Sequence, residues 1–152
     1  MNNQRSLAQT LALLFGIAFL AAGVLGFIPG ITQDLGDIKF AGNDSPAELL
    51  GLFKVSILHN IVHLLFGIAG IALSRTRANA LMYLLYSGVI YVVLTVLGLF
   101  VDAGDDANFI PVNGADTVLH LVLAIGLLGG WFLSKGEEDI FADRSAATPP
   151  AP

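Results

Sequence analysis

Residues 80–101, ALMYLLYSGVIYVVLTVLGLFV, carry no charged side chain, and this run decides the fold class. About 20 apolar residues in a helix, each rising ~1.5 Å, cross a hydrocarbon core of roughly 30 Å. The apolar residues are continuous rather than alternating, which selects a helix over a barrel strand. In lipid a helix also satisfies its own backbone hydrogen bonds. Outward from this run, comparable ones cover Leu7 to Phe27, Leu49 to Leu73 and Thr117 to Leu133. The sequence therefore predicts an all-α membrane protein, a bundle of four transmembrane helices at residues 7–27, 46–73, 80–101 and 114–133. They make one transmembrane domain over residues 1–135. A disordered cytoplasmic tail over residues 136–152, ending AATPPAP, follows it.

Composition points the same way. The chain is 55% hydrophobic and 12% charged, a balance that argues against a soluble domain. The net charge of −5 resides partly in the outer loops and partly in the tail, so it gives no reason to invoke nucleic acid. The expected partners are the lipid bilayer and, through it, further copies of the chain or a larger membrane complex. With no cysteine, disulfides and thiolate chemistry are excluded.

Lys and Arg near span ends stay on the cytoplasmic side. Arg5, Arg75, Arg77, Lys135 and Arg144 all fall on one side, while Lys39 and Lys54 lie on the other with the acidic loop of Asp102, Asp105 and Asp106. A multi-pass protein of the inner (cytoplasmic) membrane with both termini cytoplasmic is expected. Ala21 to Gly23 resembles a signal-peptide cleavage cluster, but the apolar run continues through Val24 to Ile28, longer than a signal core. The segment is accordingly read as a span.

Helix starts are legible on the outer side. Ser45-Pro46-Ala47-Glu48 combines a capping hydroxyl, a first-turn proline and a glutamate three residues after the cap, and predicts that the second helix begins there. Asn113-Gly114-Ala115-Asp116 has the same logic for the fourth. Leu13-Leu14-Phe15-Gly16-Ile17-Ala18 recurs as Leu64-Leu65-Phe66-Gly67-Ile68-Ala69, a match of the kind that chance produces between apolar segments drawn from a small set of residue types. His59 and His63 align with Asp116 and His120 at the same spacing.

All three histidines fall inside expected spans, where an ionisable group is costly and requires a partner. Counted in helical rise from the cytoplasmic ends, His63 lies roughly 18 Å and His59 roughly 24 Å from Arg75, and His120 roughly 22 Å from Lys135. Tyr91 lies roughly 21 Å from Arg77. One layer can hold them all, with Asp116 on the face of His120. Ser56, Asn60, Gly67 and Gly70 extend the His59 and His63 face as a polar and small stripe that should face the bundle. The first helix offers no polar side chain at this depth.

The cluster His59, Asn60, His63, Tyr91, Asp116 and His120 has several readings. His59, His63 and His120 could ligate a transition metal, with Asp116 or Asn60 orienting them. One histidine from each helix could instead hold a haem b. The bland reading is hydrogen bonding between helices, about 1 kcal/mol per contact. The leading expectation is an accessory or scaffold subunit of a membrane assembly, using the small-residue stripe as its interface. A haem- or metal-binding redox protein and a proton-handling, quinone-handling or transport protein stay open. Catalysis is not the expected role, since no nucleophile and base pair, phosphate loop or carboxylate dyad stands in the sequence. Lys54 is expected to snorkel to the outer surface. Tyr83, Tyr86, Trp131 and Phe132 read as an interfacial aromatic belt.

Leu58-His59-Asn60-Ile61-Val62-His63 followed by Gly67, and Asn108-Phe109-Ile110-Pro111-Val112-Asn113 followed by Asp116 and Leu119-His120, resemble the signature of a bacterial four-helix membrane family catalogued as domain of unknown function 4383. The resemblance covers Leu11 to Phe132. It implies a bacterial cytoplasmic-membrane protein with four helices, and no activity or catalytic role to carry over. A looser similarity to small four-helix proteins of the quinol-oxidase-associated type implies a redox role.

Overall fold

A computed structural model describes residues 5–101, 105 and 107–136. Four helices dominate it: α1 (Leu7–Leu25), α2 (Ile57–Leu73), α3 (Arg77–Phe100) and α4 (Gly114–Lys135). α1, α3 and α4 are long and apolar enough to cross a membrane, whereas α2 is a shorter apolar helix. Its 17 residues span about 25 Å at 1.5 Å each. The tail expected to be disordered lies outside the described residues from 137 onward, as do Asp102 and Asp106.

The second helix does not begin at the Ser45 signature. Residues 46–56 instead hold two strands, β2 (Glu48–Leu49) and β3 (Phe53–Lys54), which join β1 (Thr32–Gln33) in an antiparallel sheet of order β1-β2-β3. Two serines compete as helix caps, and Ser56 prevails. Its hydroxyl accepts from the His59 amide at 3.1 Å, directly before the apolar run. Ser45 spends its hydroxyl otherwise, donating to the Val55 carbonyl at 2.7 Å and accepting from the Lys39 amide at 3.3 Å. A helix from Pro46 would also have carried Gly51 in its interior, which costs ~0.5–1 kcal/mol relative to alanine. At the hairpin tip Leu50 and Gly51 adopt φ of 57° and 64°. A leucine in this left-handed region is uncommon.

Sequence neighbours pack as pairs, α1 on α2 and α3 on α4. α1 buries Ala8, Ala12, Gly16, Phe19 and Gly23, a stripe at helical spacing. Where it crosses α2, a Cβ on Gly16 would lie 2.7 Å from the Ile71 nitrogen, and one on Gly67 would lie 2.6 Å from the Leu20 Cα. These glycines therefore let the two backbones touch. Gly16 and Gly67 occupy equivalent places in the repeated LLFGIA segment, and each seats the opposite helix just beyond the other copy, Gly16 at Gly70 and Ile71 and Gly67 at Leu20.

Helix ends on the side opposite the sheet are tied within the same pairs. Ser6 and Gln9 form a capping box at the start of α1. The Gln9 amide then donates to the Ser74 carbonyl at 3.1 Å and to the Arg75 carbonyl at 2.9 Å, the unsatisfied acceptors at the end of α2. Arg77, in the first turn of α3, donates to the Ser134 and Lys135 carbonyls at 2.8 and 3.1 Å. This places a cation at the negative end of the α4 dipole.

Leu14, Ile17, Leu65, Ile68, Val93, Val122 and Ile125 point outward and exposed. Surfaces this apolar are what helices in contact with lipid present.

Candidate functional site

The residues expected to share a layer converge at the sheet end of the helices. Because Ser56 caps α2, His59 stands in the first turn and His63 one turn on. Their rings stack with centroids 4.7 Å apart and planes at 27°. His120, two turns into α4, lies 6.4 Å from His59, and the Tyr91 ring from α3 meets His120 edge-on at 5.2 Å. α1 contributes Phe19, stacked on Tyr91 at 5.3 Å and on His63 at 5.9 Å. Phe19 was not legible as a site residue, since a phenylalanine in an apolar span reads as filler.

Asp116 adjoins the cluster and has two structural tasks. Its carboxylate Oδ2 accepts from the Asn113 amide at 2.9 Å, while Asn113 Oδ1 accepts from the Asp116 amide at 3.0 Å, completing a capping box. The same Oδ2 accepts from the Lys54 backbone amide at 3.0 Å, pinning β3 to α4. Lys54 thus meets Asp116 through its main chain, and its ammonium donates to the Asn43 carbonyl. Asn113 reinforces the junction, its side-chain amide donating to the Leu52 carbonyl at 2.9 Å.

Asn60 departs from the cluster. Its side-chain amide donates to the Gly26 carbonyl at 2.8 Å, where α1 ends. The stripe that contains it is spent inside the chain as well: Ser56 caps α2, Gly67 seats Leu20, and Gly70 seats Gly16 and the Tyr83 ring. Tyr83 likewise leaves the expected aromatic belt. It is buried, with its hydroxyl donating to the Phe66 carbonyl at 3.2 Å. Trp131 and Phe132 hold the Lys135 ammonium, 4.6 and 4.5 Å from their ring centroids.

The Asn108 to Asn113 motif acquires a physical reason. The Asn108 side chain brackets Val112, donating to its carbonyl and accepting from its amide, each at 3.0 Å. The turn so closed presents the Pro111 carbonyl to His59 Nδ1 at 3.2 Å. A carbonyl only accepts, so Nδ1 carries the proton in this contact.

A cavity of about 300 Å³ opens beside the histidines. Ala18, Phe19, Ala22 and Leu25 of α1 form one wall, Leu49, Leu50, Phe53 and Val55 of the sheet the roof, and Leu119 and Leu123 of α4 the far side. His59, His63, His120 and Asp116 supply its polar lining. Buried His120 Nδ1 has no hydrogen-bond partner among the described residues. Among those residues, no group of three or more His, Cys, Asp or Glu side chains is arranged to hold a metal ion. The roof was missed in the sequence because its apolar residues read as the start of the α2 span, with only Lys54 and Ser56 between them and the helix.

A family model described as "Domain of unknown function (DUF4383)" matches residues 9–133. No curated protein and no solved structure matches the chain.

Proposed function

The chain belongs to the family described as domain of unknown function 4383, and we propose that it is a membrane-embedded binding protein that holds a small, largely apolar molecule in the histidine-lined cavity. The carrying observation is that cavity: about 300 Å³, walled by α1, α4 and the sheet, with His59, His63, His120 and Asp116 at its polar end. Ligand sites are concave, mostly apolar and provided with a few converging polar groups, and their volumes start near this one. The unpartnered His120 Nδ1 supports the reading further, since a buried polar atom without a partner costs roughly 1–3 kcal/mol. A guest toward which the His120 ring turns would recover that cost.

In this reading all four helices cross the inner membrane of a bacterium. α2 is completed at its outer end by the sheet, which fills the depth that its 17 residues do not reach. Irregular backbone is tolerated at such depth where it lines a cavity or is buried in protein. Arg5, Arg75, Arg77, Lys135 and Arg144 keep both termini cytoplasmic. An accessory-subunit role would draw on the Ser56, Asn60, Gly67 and Gly70 stripe, and that stripe is used within the chain, Ser56 as the α2 cap and the rest against α1 and Tyr83. The weight therefore shifts from docking to binding.

The test uses protein purified in mild detergent, its absorption spectrum, and mass analysis of small molecules that copurify. A thermal-unfolding screen of small apolar compounds accompanies them. Wild type is expected to carry or saturably bind such a compound. Ala22→Phe and the milder Ala18→Leu, which fill the cavity from α1, are expected to lose it. Wild type that binds nothing beyond what the filled variants bind would end the proposal.

A further inference from the structure

We infer that the guest of this cavity is a neutral, lipid-soluble molecule with a hydrogen-bond-donating hydroxyl, of the phenol class, and that it enters sideways from the bilayer between α1 and α4. The inference rests on the binding reading above and deepens it.

The first ground is the balance of donors and acceptors. Among the described residues that line the cavity there is no Lys, Arg, Ser, Thr, Asn, Gln, Tyr or Trp side chain, so the side-chain donors in the walls are confined to the one N–H of each neutral imidazole. The Asp116 carboxylate accepts, and both backbone amides that it receives fall on Oδ2, leaving Oδ1 for a guest. The His59 ring is held by two backbone groups, the Pro111 carbonyl at Nδ1 and that of Lys54, so its proton is spent on the chain and not on a guest. His120 Nδ1 is buried without a partner. A guest that itself only accepts, such as an ether or ester, leaves the Asp116 Oδ1 unpaired. A hydroxyl can donate to that oxygen and, through its own lone pairs, accept a hydrogen bond from an imidazole N–H.

The second ground is the route. On the α1 side the cavity is edged by Ala18 and Ala21, both exposed, and on the sheet side by Leu50, exposed at the hairpin tip. Neighbouring outward residues on α1 and α4, Ile17, Val24, Leu121 and Val122, are apolar and exposed. The mouth thus lies on the surface that faces hydrocarbon in a four-span arrangement. Alanines there keep the gap open, where leucines would close it. A cation taking this path would pay heavily for entering hydrocarbon, whereas a phenol partitions into it. Phe19, Phe53 and the imidazoles in the lining give a flat aromatic body rings to pack against.

The experiment titrates detergent-solubilised full-length protein with para-tert-butylphenol, with its methyl ether para-tert-butylanisole, and with para-tert-butylbenzylamine. Saturable thermal stabilisation is the readout. The phenol is expected to bind at least about tenfold more tightly than the ether, the effect of one buried hydrogen bond. Ala18→Leu is expected to abolish binding, and His120→Leu to bring phenol and ether to equal affinity. Equal affinities in wild type, both lost in Ala18→Leu, would overturn the hydroxyl assignment and leave the binding reading standing. Preference for the amine would overturn the neutral class. Saturable binding by none of the three would count against both inferences. Phenol binding that survives both Ala18→Leu and Ala22→Phe would place the compound elsewhere and overturn the site.

Discussion

Gly67→Ala tests the packing on which the site is built. A Cβ at this position would sit 2.6 Å from the Leu20 Cα and 2.7 Å from its Cβ, closer than real contacts allow. Because backbone atoms are involved, α1 and α2 must separate for it to fit. Overpacking of this kind costs about 1–3 kcal/mol. Alanine also gains ~0.5–1 kcal/mol over glycine in a helix interior, which obscures a single measurement. Gly129→Ala removes the ambiguity: it lies inside α4 with nothing within 4 Å of its added Cβ, so it collects the helix gain alone. The difference between the two variants isolates the overpacking cost, ~1–3 kcal/mol. Reversible unfolding in mixed micelles with rising sodium dodecyl sulfate, followed by far-ultraviolet dichroism, measures both. Gly129→Ala should unfold at or above the wild-type midpoint and Gly67→Ala clearly below it. Coincident midpoints for the two variants would refute the close α1–α2 crossing.

Two further outcomes are expected. Asp116→Ala should destabilise by about 1–3 kcal/mol through loss of the α4 cap and a charge-assisted bond to the sheet. Asp116→Asn, whose side-chain oxygen can still accept from both backbone amides, should retain most of that. Hydrogen exchange should therefore quicken at the Lys54 amide in the alanine variant, and unchanged protection there would contradict the Asp116 contact. Single cysteines introduced into this cysteine-free chain report topology. Gln33→Cys should react with an impermeant maleimide from outside intact cells and Thr76→Cys only when the reagent is added outside inverted vesicles, whose outer surface is the cytoplasmic face, and the opposite pattern would reverse the proposed orientation.

What was legible in the sequence follows from how local each feature is. The long apolar runs and the Asn113 cap depend on neighbouring residues, and helical rise is constant enough that counting from Arg75, Arg77 and Lys135 brought His59, His63, Tyr91 and His120 to one depth. The hairpin escaped for the opposite reason. Glu48 pairs with Gln33 and Leu49 with Thr32, partners distant in sequence, while only Lys54 and Ser56 interrupt the apolar run from Leu49 where strand gives way to helix. Ser45 bore a better capping signature than Ser56, and long-range pairing overrode it. Asn60 was grouped with its histidine neighbours by depth, yet one residue of helical rotation turns it to the end of α1. Phe19 and Pro111 act through a ring face and a backbone carbonyl, which residue type does not advertise.

The pairing of neighbouring helices has a consequence for biogenesis. α1 can close on α2 as soon as α2 leaves the ribosome, through the glycine crossing and the Gln9 bonds to Ser74 and Arg75. α3 and α4 can do the same through Arg77. The contacts that build the cavity, His59 to Pro111, Lys54 to Asp116 and Asn113 to Leu52, join one pair to the other and wait for the last helix. A nascent chain halted before α4 would hold a finished first half and no binding site, so ligand competence is a checkpoint that this protein reaches at the end of its synthesis.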